Sequence, residues 1–231
     1  MGQKNLTHRY SCIIPFFNEG TRILDTLALV SNVSFFSSVI CVDDGSTDLM
    51  SSQIAQQFPN VQLITLSKNG GKSGAIMAGL SAVTTDMVFL LDADLLGLDA
   101  TELSHAMQTF ETHHLDMLIL GREQSPWIVK WSRGDILLTG QRILAKKDLD
   151  TICSTSPTQY QLEIAINTYM RHQKKHVAWM ASSIRNTYKY KKWGFARGIG
   201  RDISMVVDMI RYAGIREYLM QIRTFAKTHV K

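Results

Sequence analysis

The sequence predicts an α/β fold, a mostly parallel sheet flanked by helices. Short apolar runs rich in β-branched residues alternate with helically spaced segments through the first half of the chain, the pattern of βαβ units. Those runs are apolar at successive positions, as strands covered on both faces must be. The chain has 231 residues, 45% apolar and 19% charged, enough for one core that buries about 70% of the unfolded surface. This composition excludes a disordered, collagen-like or disulfide-scaffold chain.

Residues 10–16 (YSCIIPF) form the first predicted strand, and residues 18–31 the first helix, with Ile23, Leu24, Leu27 and Val30 on one stripe. Residues 38–43 (SVICVD) are the second strand. Gly45-Ser46-Thr47-Asp48 then makes a turn and a helix start, with Ser46 or Thr47 as N-cap. Residues 61–66, 87–91 and 116–120 read as further strands, and residues 74–83 and 99–113 as helices. After Gly121 the alternation breaks. Residues 122–133, with Pro126, Trp127 and Trp131, read as a loop with aromatic anchors. Residues 139–148 read as a short helix, 159–172 as an amphipathic helix and 176–180 as a short strand. From Trp193 the chain reads as helical, with a break near Gly214. The expected division is a domain over residues 1–192 and an amphipathic helical tail over 193–231. No run of about 18 apolar residues occurs, and the first ten residues lack the apolar stretch of a signal peptide. Cys12, Cys41 and Cys153 cannot all pair, and two lie in apolar strands, so buried reduced thiols in a cytosolic protein are expected.

In such folds ligands bind beyond the carboxyl ends of the strands. One crevice should therefore be lined by Asn18-Glu19, Asp43-Asp44, residues 68–72 and Asp92-Ala93-Asp94. Asp92 and Asp94 are two carboxylates at the mouth of a buried strand. Their repulsion calls for a compensating charge, commonly a divalent cation such as Mg²⁺ or Mn²⁺ shared with substrate phosphates; two ordinary turn aspartates also fit. Asp43 and Asp44 suit hydrogen bonds to a nucleobase or ribose, and equally an Asp-Gly turn with a helix cap. Lys68-Asn69-Gly70-Gly71-Lys72-Ser73-Gly74 joins glycines, lysines and a helix start, a phosphate-binding combination. It is not a P-loop, because the first glycine of that motif would fall on Leu66.

Taken in order, Pro15-x-x-Asn18-Glu19, Val42-Asp43-Asp44-Gly45-Ser46-Thr47-Asp48, Lys68 to Ala75 and Leu91-Asp92-Ala93-Asp94 resemble the family 2 glycosyltransferases of the Rossmann-like GT-A fold. The resemblance covers about residues 10–200. It implies that Pro15, Asn18 and Glu19 line a nucleotide pocket, and that Asp43 and Asp44 hold base and ribose. It implies further that Lys68, Gly71 and Lys72 close over the nucleotide-sugar donor. Asp92 and Asp94 match the DXD motif that holds Mg²⁺ or Mn²⁺ on the donor diphosphate. Thr139-Gly140-Gln141-Arg142 resembles the S/T-G-x-R segment on the acceptor side. Tyr160-Gln161-Leu162-Glu163 resembles the G-Y-x-x-E motif, with Gln159 where glycine is usual. Glu163 is then a candidate general base, although a helix carboxylate bonded to Arg142 or to a backbone amide also suits it. Some relatives supply a late histidine to the metal; the corresponding stretch, residues 183–187, has Asn186 instead. The implied reaction is inverting transfer of a sugar from a nucleoside diphosphate to a polyprenyl phosphate, a glycan or a lipid. The alternatives are a small soluble acceptor, a binding protein without catalysis, and a nucleotidyltransferase. The last would carry a basic Gly-rich loop where Asn18-Glu19-Gly20 stands.

The net charge of +5 is uneven: residues 189–231 carry 10 Lys/Arg against 3 Asp/Glu, leaving the rest at 15 minus 17. Apolar positions Phe195, Ile199, Ile203 and Ile210, then Ile215, Tyr218, Leu219, Ile222 and Phe225, recur at helical spacing among these basic residues. Such a segment fits peripheral contact with an anionic cytoplasmic membrane face, or packing on the body or in a homo-oligomer. No nucleic-acid motif accompanies it, so nucleic acid is not expected as a partner.

Overall fold

The computed structural model describes residues 9–97, 99–123, 125, 129–130, 133–155, 157, 161–183, 185–186 and 211–231. The aromatic loop around Trp127 and Trp131, Gln159-Tyr160 and residues 187–210 lie outside the described residues.

The first half follows the predicted alternation: β1 (Tyr10–Phe16), α1 (Arg22–Val30), β2 (Phe36–Asp43), α2 (Met50–Gln57), β3 (Gln62–Thr65), α3 (Gly71–Leu80), β4 (Met87–Leu90), the two-residue β5 (Leu95–Leu96), α4 (Ala100–Thr112) and β6 (Met117–Arg122). Then come α5 (Gly134–Leu137), β7 (Arg142–Ala145), α6 (Lys146–Cys153), α7 (Gln161–His172), β8 (Val177–Ser182), β9 (Arg185–Asn186), α8 (Ile215–Thr224) and β10 (Thr228–His229). Eight strands form one sheet in the order β10-β8-β6-β7-β4-β1-β2-β3, and β5 pairs with β9 separately. Only β7 runs antiparallel to its neighbours in the large sheet.

Side chains alternate between the two faces of each strand. Cys12, Ile14 and Phe16 of β1 face the core under α1, α2 and α4, with Ile23, Leu27, Ile54, Leu103 and Phe110. Ile13 faces the core under α3 and α5 to α8, with Ile76, Leu137, Leu149, Ile166 and Phe225. Helix α3 lies flush on the sheet because Gly79 has no side chain; a Cβ there would sit 2.8 Å from Ile13 Cγ2.

Two readings are corrected. Residues 139–148 are not one helix: Arg142–Ala145 is a strand, and Lys146 starts α6 without a linker. Neither Ser46 nor Thr47 caps α2; the helix starts at Met50, whose amide donates to Asp48 Oδ1 at 3.3 Å. The C-terminal segment splits its apolar residues. Phe225, Ala226 and Val230 are buried in the body, and β10 extends the sheet beside β8. Ile215 and Leu219 stay exposed. Cys12 and Cys41 are buried and Cys153 is half-buried, all three as free thiols, and burial raises each thiol's pKa.

Candidate active site

The crevice opens where β1 and β4 separate, and a proline ends their ladder. Ile13 O accepts from Leu91 N at 3.0 Å, so odd-numbered residues of β1 bond toward β4. Pro15 is the next odd position and has no N–H to give. The two strands part there, and Asp92 follows immediately.

The loops around this opening are tied to one another. Asn18, exposed and at φ +51°, donates its amide to Ser46 Oγ at 3.0 Å and accepts from Thr47 N through Oδ1 at 2.8 Å. Glu19 pairs with Arg22 at 2.7 Å. Asp43 is buried, accepting from Ser46 N at 2.7 Å through Oδ1 and from the Ser51 hydroxyl through Oδ2. Asp44, also buried, accepts from Gly70 N at 2.7 Å at the start of α3. Gly45, at φ +76°, lets the second loop lie on the third, since a Cβ there would meet the carbonyl carbon of Lys68 at 2.9 Å. The Lys68 side chain is exposed, and Gly71 turns the chain into α3 at φ +77°.

Three sequence-distant motifs meet at Lys72. Its Nζ lies 2.6 Å from Asp92 Oδ1 and 2.8 Å from Glu163 Oε1. Burial pulls the Lys72 ammonium down, but Asp92 and Glu163 outweigh it and hold the pKa above its ordinary value. Burial likewise pushes Asp92 up, and Lys72, Gln141 and Arg122 together hold it below the usual carboxylate value. Gln141 Nε2 donates to Asp92 Oδ2 at 2.7 Å. Gly140 is part of the same packing: a Cβ on it would fall 2.3 Å from Lys72 Nζ and 2.5 Å from Asp92 Oδ1. Glu163 Oε2 is buried with no hydrogen-bond partner.

Arg142 stands apart from the crevice residues. It is 0% exposed, and its side chain donates to the carbonyls of Thr139, Leu137 and Glu163 and to Asn167 Oδ1. Burial lowers its pKa to about 10 against the opposing pull of Glu163 and Asp92, so it stays protonated at neutral pH. It presents nothing to a ligand, and the partner of Glu163's carboxylate is Lys72 rather than Arg142. The sequence placed Gly140 and Gln141 only within an acceptor-side segment, with no role of their own, and assigned none to Arg122. Arg122 ends β6, contributes positive charge at Asp92, and carries a buried Nε with no hydrogen-bond partner. The rule that located the other crevice residues, a position at the carboxyl end of a strand, would have found it.

A divalent cation suits the oxygen donors here. Among the described residues no group of three or more His, Cys, Asp or Glu is placed to hold an ion alone. Two carboxylates completed by donor phosphates is a common arrangement for Mg²⁺, and Asp92 and Asp94, both half-buried, offer carboxylates of that kind.

An α/β sheet of this topology with an acidic pair after its fourth parallel strand defines a class, the GT-A fold of glycosyltransferases, and the solved structures agree with that architecture. Glucosyl-3-phosphoglycerate synthase of Mycobacterium tuberculosis, in complex with Mn²⁺ and UDP-glucose, superposes with a TM-score of 0.71 at 16% identity, covering 90% of this chain and 80% of that one. The glycosyl transferase family 2 model matches residues 11–164, and the chain belongs to that family. Over 85 residues it is 40% identical to YaiP, an uncharacterised glycosyltransferase of Escherichia coli K12, covering 36% of this chain and 21% of that protein. Over 96 residues it is 35% identical to undecaprenyl-phosphate 4-deoxy-4-formamido-L-arabinose transferase of Pseudomonas fluorescens SBW25, covering 38% of this chain and 28% of that one. The matched stretch is thus under a third of the length of these curated relatives.

Proposed function

We propose that this chain carries out inverting transfer of a sugar from a nucleoside-diphosphate sugar to a polyprenyl phosphate. The observation that carries the reading is the meeting of Lys72, Asp92 and Glu163, from three separate motifs, around one ammonium. Asp43, Asp44, Asn18, Glu19 and Pro15 shape the nucleoside side of the crevice, with Lys68 and Gly71 on the loop over it. Asp92 and Asp94 are the metal ligands, with Asp92 also held by Lys72 and Gln141. They would hold a Mg²⁺ or Mn²⁺ ion, which when bound would supply Lewis-acid stabilisation of charge on the departing diphosphate. Lys72 and Arg122 add positive charge on the chain's own account, and preorganised charge of this kind is worth most at the leaving group. An acceptor phosphate arrives anionic, so it attacks the anomeric carbon without a base. The relatives that act on undecaprenyl phosphate point to this acceptor class.

The acceptor's lipid would be met at the surface by α8. Its outer side exposes Ile215, Leu219 and Met220, with exposed Tyr212 just before it, and residues 211–231 carry five Lys/Arg against one acid. No helix among the described residues is long and apolar enough to cross a membrane; the contact proposed is a peripheral one on the cytoplasmic face, supported by this exposed apolar and basic surface.

The buried, unpartnered Glu163 Oε2 favours a second reading, an alcohol acceptor such as a glycan with Glu163 as base. One experiment tests both. Turnover of UDP- and GDP-sugars with Mn²⁺ or Mg²⁺ is screened against polyprenyl phosphate and against lipid-extract alcohols, with products read by mass spectrometry. Glu163→Gln should retain turnover with a phosphate acceptor and lose about 10²- to 10⁴-fold with an alcohol. Absence of any sugar transfer from every donor overturns the proposal.

A further inference from the structure

Arg142 is held by a chain of buried groups that leads away from the crevice. Asn167 of α7, 0% exposed, accepts from Arg142 Nη1 through Oδ1 at 2.6 Å. Its Nδ2 donates to Leu137 O and to Gln221 Oε1, each at 3.1 Å. Gln221 belongs to α8 and is also 0% exposed; its Nε2 donates to Thr168 Oγ1 at 2.9 Å and to Glu217 Oε1 at 3.1 Å. At the other end Arg142 draws in two carbonyls of its own chain, Thr139 O at 2.9 Å through Nε and Leu137 O at 2.7 Å through Nη2. This closes the turn that carries Gly140 against Lys72 and Gln141 against Asp92. Asn167 and Gln221 both lie beyond residue 164, where the family match ends.

We propose that Gln221 and Asn167 are positioning residues. With Arg142 they form a buried relay that fixes the turn at residues 139–141, and through it Asp92 and Lys72, so the seating of the C-terminal helix sets the activity of the crevice. The physical ground is that each member is satisfied by the next. A buried amide or guanidinium that loses its partner has no water to turn to and must move to find another. Withdrawing Gln221 Oε1 leaves Asn167 Nδ2 with the Leu137 carbonyl alone, and Leu137 O also serves Arg142. The rearrangement therefore falls on the groups that close the turn. Helix α8 is held from below as well, since the Arg133 guanidinium donates to the carbonyls of Phe225 and Ala226. Its seating is therefore specified at both its buried face and its carboxyl end.

The consequence for activity rests on the glycosyl-transfer reading, whereas the relay itself does not, and the test separates them. Gln221→Met removes the amide at similar length. Thr168→Val removes one of the two acceptors of Gln221 Nε2, leaves the other, Glu217, in place, and leaves the link to Asn167 intact. The first readout is hydrogen exchange of the Arg142 Nε–H by NMR, which needs no substrate. The second is kcat and donor KM, measured at a temperature where melting curves show each variant folded. Gln221→Met should speed that exchange and lower kcat, each by about tenfold, with donor KM unchanged, as expected for an effect on the reacting geometry alone. Thr168→Val should change neither. In a Gln141→Leu background, Gln221→Met should bring no further loss of kcat, because the effect travels through Gln141. If Gln221→Met fails to fold, Gln221→Asn, one methylene shorter, carries the same test. Unchanged exchange and kcat with a lowered melting temperature would reduce Gln221 to a packing residue and overturn the proposal. If the wild type transfers sugar from no donor, the functional reading fails and the exchange rate alone decides the relay.

Discussion

Replacing Gly140 by alanine tests the packing of the crevice most directly. The added methyl would stand 2.3 Å from Lys72 Nζ and 2.5 Å from Asp92 Oδ1, closer than real Cβ contacts come. The two charged atoms are themselves 2.6 Å apart. Lys72 is long and can swing away; Asp92 is short and anchored by Gln141. The expected relaxation therefore withdraws the ammonium from Asp92. Removing one partner of a buried pair costs about 3–5 kcal/mol. With side chains 26% and 15% exposed, the loss should be smaller, about 2 kcal/mol. For a chain of this length that is a fall of roughly 4–8 °C in melting temperature. An equal loss in the transition state would reduce turnover about 30-fold. Gly74→Ala is the control. Nothing lies within 4 Å of a Cβ there, and the position is inside α3, so alanine should stabilise by about 1 kcal/mol. Differential scanning calorimetry of both variants decides the matter. If Gly140→Ala melts with the wild type, the close approach does not constrain the site and the reasoning fails.

Other expectations follow from the same geometry. Asp94→Asn and chelation with EDTA should each remove most turnover; full activity in either case refutes the metal assignment. Asp44→Ala frees the Gly70 amide and should weaken nucleoside-diphosphate binding by calorimetry while the fold persists. The Lys72–Asp92 pair should be insensitive to pH through the neutral range. Lys72, raised, contributes fully below its unfolded value of about 10.4 and loses this only as pH rises through its folded value. Asp92, lowered, contributes above about 3.9 and loses this as pH falls through its folded value. Thermal stability followed from pH 5 to 9 should therefore show no step from this pair, and a step abolished by Lys72→Met would contradict it. The protein should sediment with anionic vesicles in a salt-dependent way, as each basic residue near the surface contributes about 1 kcal/mol; a protein that stays in the supernatant at both low and high salt removes the membrane contact.

Strands β1, β2, β3, β4, β6 and β8 were partly or wholly legible because each is a mostly apolar run bounded by polar loops. Their carboxyl ends located Asp43, Asp44 and Asp92. Strand β7 was not legible. Ile143, Leu144, Leu149 and Ile152 are all buried, and with no linker between β7 and α6 their spacing imitates one helix. Strand β10 is two residues long and has no period to detect. The site residues to which the sequence assigned no individual role share another trait. Gln141, Gly140 and Asn167 are not residue types that announce chemistry, and their importance lies in distances to groups far away in sequence. Arg142 shows the converse: a motif directed attention to the right residue, but only the fold reveals that it faces inward.

The late arrival of β10 at the edge of the sheet also bears on how the protein is made. Because β10 joins the edge of β8 from 46 positions further along the chain (182 to 228), β8 emerges with one side of its ladder bare. At synthesis rates of about 5–20 residues per second, that edge waits roughly 2–9 s for its cover. An uncovered strand edge is a template for pairing with another chain. A product that stops short of Thr228 keeps it permanently, and also leaves Arg133 without the carbonyls of Phe225 and Ala226 if it stops before them. Nascent and truncated chains are therefore the forms in which this protein is most exposed to self-association, and expression at lower temperature or with a chaperone should matter more for them than for the finished molecule.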